Sequence, residues 1–97
     1  MSGGSEERTA RVRIAGRVQG VGYRYWTEEE ARGLGLAGWV RNRRDGSVEA
    51  VFSGTPGSVA EMLRRCRAGP AAAAVSSVEV LEEGGEEPAG FEVLPTA

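Results

Sequence analysis

The chain has 97 residues, 40% of them hydrophobic, with a formal net charge of −2. That length holds one small domain with a modest core, and the charge balance gives no general pull toward nucleic acid or anionic membrane. All twelve basic residues are arginine, histidine is absent and there is one cysteine, which excludes a Schiff-base or phosphate-loop lysine, an imidazole base and an internal disulfide, and argues against a zinc site.

Residues 1–8, mostly Ser, Gly and Glu without periodicity, read as a disordered tail. Residues 9–97 read as one domain. From Thr9 to Ala15, Ala10, Val12 and Ile14 alternate with Arg11 and Arg13, the pattern of a half-buried strand. The stretch Gly16-Arg17-Val18-Gln19-Gly20-Val21-Gly22-Tyr23-Arg24 follows. Glycines let the backbone turn and expose N–H groups, which can converge as an anion nest. A helix starting there adds its unpaired N–H groups and the positive end of its dipole. Arg24 falls in that first turn, and its planar guanidinium matches two phosphoryl oxygens. The same spacing also fits a turn that simply needs glycines, with Arg24 on a solvated face. Spacing alone does not choose between the two.

Gly22 to Leu34 reads as a helix with Tyr23, Trp26, Thr27, Ala31 and Leu34 facing inward and Glu28 to Glu30 starting a solvated side. Gly33 and Gly35 end it. Leu36–Asn42 and Ser47–Ser53 read as strands joined by Arg43-Arg44-Asp45-Gly46, with Asp-Gly expected to supply the positive-φ residues of a hairpin. On the second of these strands Val48, Ala50 and Phe52 alternate with Glu49, Val51 and Ser53. Thr55 and Pro56 suit the N-cap and first position of a second helix, which carries Val59, Met62, Leu63 and Cys66 on one stripe and stops at Gly69-Pro70. Cys66 on that stripe reads as a buried hydrophobe, since no base is available to activate it. Residues 71–77 read as a small-residue connection, Val78 to Leu81 as a fourth strand, and Phe91 to Val93 as a short last one. Two helices on one face of an antiparallel sheet is the economical packing for this order.

Two separated motifs now carry a resemblance. Gly-Arg-Val-Gln-Gly-Val-x-x-Arg (Gly16 to Arg24) resembles the first signature of the acylphosphatase family. Gly38-Trp39-Val40-Arg41-Asn42, followed by Asp45-Gly46-x-Val48, resembles the second, and Cys66-Arg67-x-Gly69-Pro70 is similar to the family's end of helix two. Gly22 stands where the family is variable and often bulkier. The resemblance implies a ferredoxin-like βαββαβ fold with a short extra C-terminal strand. It implies hydrolysis of acyl phosphates to carboxylate and phosphate; the lack of histidine and lysine, with a single cysteine, points to no metal and no cofactor. Carried over by position, Arg24 binds the phosphoryl oxygens together with backbone N–H groups of Gln19, Gly20, Val21, Gly22 and Tyr23, and Asn42 positions the attacking water. The chemistry agrees: an acyl phosphate has a good carboxylate leaving group, and phosphoryl transfer asks the protein mainly to position reactants and stabilise charge. On its own, Asn42 also reads as a strand-end residue capping the hairpin.

Two other functions fit the same fold. One is a non-catalytic anion-binding or regulatory module. The other, a single-stranded RNA binder, needs stacking aromatics on the central strands and a basic face. The first strand offers none and the third only Phe52, on its inward side, and Arg41, Arg43 and Arg44 are too few to replace them. The expected partners are therefore small acyl phosphates, with inorganic phosphate or sulfate as product-like ligands, and neither nucleic acid nor membrane. No apolar run approaches the length of a membrane span. The lone cysteine points to a reducing cytoplasm, and a free-standing monomer is expected.

Overall fold

The computed structural model describes residues 7–97. The tail reading therefore lies, for residues 1–6, outside the described residues. The elements run β1 (Arg8–Arg17), α1 (Tyr23–Gly33), β2 (Ala37–Asn42), β3 (Val48–Gly54), α2 (Pro56–Ala68), β4 (Ala74–Glu83) and β5 (Phe91–Val93). The strands form one sheet in the order β4-β1-β3-β2-β5. The pairs β1–β3, β1–β4 and β2–β3 are antiparallel, and β5 runs parallel to β2. This is a ferredoxin-like α+β sandwich in which the appended fifth strand makes the sheet mixed.

A single core joins sheet and helices. Ala10, Val12 and Ile14 of β1, Val40 of β2, Val48, Ala50 and Phe52 of β3, and Phe91 of β5 face Tyr23 and Ala31 of α1 and Val59, Met62 and Cys66 of α2. Phe52 and Phe91 stack with centroids 6.0 Å apart, which seats the short β5 against the sheet. Helix α2 starts as its sequence requires: the Thr55 side chain accepts from the Ser58 N–H at 3.2 Å, with Pro56 next to it, a cap worth about 1 kcal/mol. The helices are joined by an ion pair between Arg65 and Glu30 at 3.0 Å.

Four local features differ from the sequence reading. First, β1 begins at Arg8, whose guanidinium forks onto Glu83 of β4 at 3.1 and 2.7 Å, so Arg8 belongs to the sheet and not to a tail. Second, Asp45 does not share the positive φ of the hairpin. Among the described residues only glycines have positive φ, and Gly46 alone takes it in this turn, at 94°. The Arg43 N–H donates to the Ser47 carbonyl at 2.9 Å and the Gly46 N–H to the Arg43 carbonyl at 3.1 Å, a three-residue loop with its glycine at the bulge. The Asp45 carboxylate accepts from the hydroxyl and N–H of Ser47, which pull its pKa down to about 2.

Third, β4 begins at Ala74, inside the presumed connection. Among the described residues it pairs only with β1, with register shifts opposite Arg11/Val12 and Ala15/Gly16. Such bulges break the alternation that marks a strand in sequence. Fourth, the alternation along β3 does not separate a buried from an exposed side. Glu49, Val51 and Ser53 are all buried, because β3 lies between β1 and β2 and their long side chains fold over it. Glu49 is held by Arg11 and Arg41, each at 2.8 Å, and by Arg43 at 3.6 Å.

Candidate active site

The loop between β1 and α1 is anchored by its valines and turned by its glycines. Val18 is buried in the core and Val21 packs against it. Gly20 and Gly22 take φ of 74° and 81°, and a Cβ on either would meet nothing within 4 Å. The backbone angle, not crowding, therefore calls for glycine at both. Gly16 and Arg17 are already strand, so the cradle proper is Val18 to Gly22.

Gly22 is the N-cap of α1, and its carbonyl accepts from the Trp26 N–H at 3.0 Å. No side chain caps this helix end, and its first turn holds no acid. Among the described residues, the N–H groups of residues 19–22 donate to no backbone acceptor, and the only backbone N–H groups given to side chains are those of Ser47 and Ser58. Unpaired N–H groups converging at the positive end of a helix dipole favour an anion.

The loop and the first turn of α1 border a hollow of about 120 Å³. Val18, Gly20 and Gly22 contribute from the loop, Tyr23, Arg24 and Tyr25 from the first turn of α1, and Asn42 from the end of β2. Arg24 is half-buried. Its guanidinium carbon lies 5.9 Å from the Tyr25 ring centroid, and it forms no ion pair among the described residues, whereas Arg11, Arg41 and Arg43 are all committed to Glu49. Oδ1 of Asn42 is buried without a hydrogen-bond partner among the described residues. Its backbone carbonyl is anchored by the Ala97 N–H at 3.0 Å. A buried acceptor left open costs free energy unless a donor reaches it.

Of the residues named from sequence, Gly20, Gly22, Tyr23, Arg24 and Asn42 meet at this hollow. Gln19 and Val21 do not line it. Val21 leans on the core, and the Gln19 side chain donates to the β2–β3 turn. Tyr25 was missed. It lies off the inward face of α1 and is 66% exposed, so only its place beside Arg24 in the first turn could have signalled it. Glu28 lies on a neighbouring depression with Glu29 and Arg32 and pairs with Arg32 at 3.0 Å. A larger cavity, about 280 Å³, sits beneath residues 84–88 against Thr9, Arg11, Trp39 and Val51. Its one cation, Arg11, is neutralised by Glu49 and Glu82, so it offers an anion little. Among the described residues no cluster of His, Cys, Asp or Glu could hold a metal ion.

The acylphosphatase family model matches residues 10–93. The chain belongs to the acylphosphatase family. The acylphosphatase of Bradyrhizobium diazoefficiens is 56% identical, covering 88% of this chain and 92% of that one. The acylphosphatase of Rhodospirillum rubrum is 52% identical over 92% of this chain and 98% of its own. Among solved structures, the acylphosphatase of Coxiella burnetii superposes with a TM-score of 0.86 at 37% identity, covering 91% of this chain and 93% of that one. Full-length HypF in its phosphate- and nucleotide-bound form matches with a TM-score of 0.87 over 96% of this chain but 12% of its own. At 22% identity that likeness is one of fold alone. The motifs that resemble the acylphosphatase signatures meet at the hollow: the first covers the cradle and Arg24, the second contains Asn42.

Proposed function

We propose that this acylphosphatase hydrolyses the carboxyl–phosphate bond of small acyl phosphates in the hollow shared by the cradle, Arg24 and Asn42. The observation that carries the reading is this convergence of an unpaired arginine, an uncapped helix N-terminus and an open amide acceptor. The guanidinium of Arg24 and the N–H groups of the cradle and first turn of α1 hold the phosphoryl oxygens and stabilise the charge on them in the transition state.

Asn42 accepts a hydrogen bond from water through Oδ1 and orients it in line with the scissile bond. The water oxygen attacks phosphorus, the bridging P–O bond breaks, and the carboxylate leaves with the bonding electron pair. An amide is a poor base, so the water proton passes to a phosphoryl oxygen of the substrate, giving carboxylate and dihydrogen phosphate. No step uses a metal or cofactor. Inorganic phosphate and sulfate occupy the same cradle as product-like ligands.

The protein acts as a cytoplasmic monomer, and residues 8–97 fold as a single domain. A single buried cysteine suits a reducing compartment, and no helix among the described residues is long and apolar enough to cross a membrane. This reading has no nucleic-acid partner: Phe52 is fully buried and the Arg41 guanidinium lies 4.9 Å from the Trp39 ring centroid, so the sheet presents no open row of stacking aromatics.

The deciding experiment is benzoyl phosphate hydrolysis by wild type beside Arg24→Ala. Arg24 makes no ion pair that folding needs, so the variant folds. Its rate falls about 10²- to 10³-fold, the usual cost of losing a donor to developing negative charge. A folded variant with most of the wild-type rate would remove Arg24 from the mechanism. Phosphate binding by an inactive wild type would favour the non-catalytic module.

A further inference from the structure

Gln19 sits within the cradle, yet its side chain serves another part of the molecule. Nε2 donates to the Arg43 carbonyl at 2.7 Å and to the Ser47 carbonyl at 2.8 Å. A primary amide has two N–H donors, and both are used. The two carbonyls belong to the residues that close the β2–β3 turn. Each also accepts a backbone bond, from the Gly46 N–H and the Arg43 N–H respectively. Arg43 directly follows Asn42, so the amide clamps the cradle onto the strand end that carries Asn42.

Both parts touch the core, through Val18 and Val40, but among the described residues no other hydrogen bond joins them. The β1–β3 ladder ends at Ile14–Val48, and residues 15–17 pair only with β4. Past that point the chain enters the cradle without a strand bond to the turn. The ion pair between Arg13 and Asp45, at 3.4 Å, is exposed and starts from β1, before the cradle.

We propose that Gln19 is a positioning residue that fixes the distance between the bound phosphoryl group and the water held by Asn42. The proposal rests on the roles given above to Arg24 and Asn42. The phosphoryl group is held by one part and the nucleophile by the other, so in-line attack depends on their mutual register, where an ångström matters. Binding of phosphate alone depends only on the cradle and Arg24.

The test uses Gln19→Met, which keeps length and shape but removes both donors, and Gln19→Glu, which replaces the amide N–H donors by a carboxylate facing two carbonyls. Each is assayed with benzoyl phosphate, with inorganic phosphate as competitive inhibitor, alone and combined with Asn42→Ala. Gln19→Met lowers kcat about 10- to 100-fold, while the phosphate inhibition constant moves by no more than about threefold. In the Asn42→Ala background Gln19→Met costs no more than about twofold further, because its effect runs through the residue already removed. Protonation returns one O–H donor to Gln19→Glu, so its kcat climbs as the pH falls.

Either variant carries the test if the other does not fold. Equal losses of kcat and phosphate affinity, or the same fold-loss with and without Asn42, would assign Gln19 to the cradle alone and overturn the proposal. Wild-type kcat in both Gln19 variants, beside an impaired Asn42→Ala, would overturn it while leaving the roles of Arg24 and Asn42 intact. Wild-type kcat in Asn42→Ala itself, beside an impaired Arg24→Ala, would overturn the water-positioning role and this proposal with it.

Discussion

The phenolic hydroxyl of Tyr23 donates to the backbone carbonyl of Cys66 at 2.7 Å, both groups being buried. Cys66 lies in the last turn of α2, where carbonyls lack an intrahelical partner. Tyr23 opens α1 directly after the cradle. One hydrogen bond therefore satisfies an orphan carbonyl of one helix and pins the anion-facing end of the other. Burial raises the pKa of the phenol well above its ordinary value, so the donor stays protonated.

Tyr23→Phe keeps the ring and leaves the Cys66 carbonyl buried and unpaired, at a cost of about 1–3 kcal/mol. For a domain of this size that lowers Tm by roughly 4–8 °C per kcal/mol. Thermal and urea unfolding measure it directly, and an unchanged midpoint would show that water or a backbone shift replaces the phenol.

Asn42→Ala should lower kcat strongly and leave phosphate affinity nearly intact, because the residue is assigned to water. At about 100 times its dissociation constant, phosphate should raise the stability of wild type and variant alike by roughly 2.7 kcal/mol. Calorimetry with phosphate beside steady-state kinetics separates the two quantities. Normal kcat with lost phosphate stabilisation would reverse the roles of Asn42 and the cradle.

Glu49 should govern much of the acid limb of stability. Desolvation works to raise its pKa, but hydrogen bonds from Arg11 and Arg41, and the charges of Arg41 and Arg43, more than offset this and leave it below the ordinary value. A carboxylate depressed in the folded state adds stability above its unfolded pKa of about 4.3, and that contribution is lost as pH falls through the folded value. Glu49→Gln should cost on the order of 3 kcal/mol at pH 7, since it leaves arginines crowded around a buried neutral group. The gap between the urea midpoints of the two proteins should narrow as pH falls below about 4.3. A gap that stays constant with pH would mean that shape, not charge, matters at this position.

Across pH 5–8 the enzyme's own contribution to kcat should be flat. Arginine stays charged and asparagine does not titrate, so neither proposed catalytic side chain changes state there. Cys66 is fully buried, and burial pushes its thiol pKa up to about 12, so native-state alkylation should be slow and without effect on rate. The check is a pH–rate profile on chelator-treated enzyme with two leaving groups. A steep limb common to both would reveal an enzyme base outside this scheme, with Glu28 the first suspect. Activity lost on chelation and restored by one metal would end the metal-free mechanism.

The residues themselves determined the elements and the cradle. Alternation marks β1 and β3, a 3.6-residue stripe marks α1 and α2, and Gly20, Gly22 and Gly46 sit where positive φ is required. These signals are local because backbone conformation and helix or strand period depend on near neighbours. Only the tertiary structure decided the start of β4, whose bulges erase its period, and the burial of Glu49 beneath arginines from β1, β2 and the following turn. The same holds at the site. Gln19 and Arg43 are 24 positions apart, Tyr23 and Cys66 43. A side-chain donor finds a backbone carbonyl at that range only after the sheet has brought the chains together, and no pattern in a linear chain records which carbonyl it will meet.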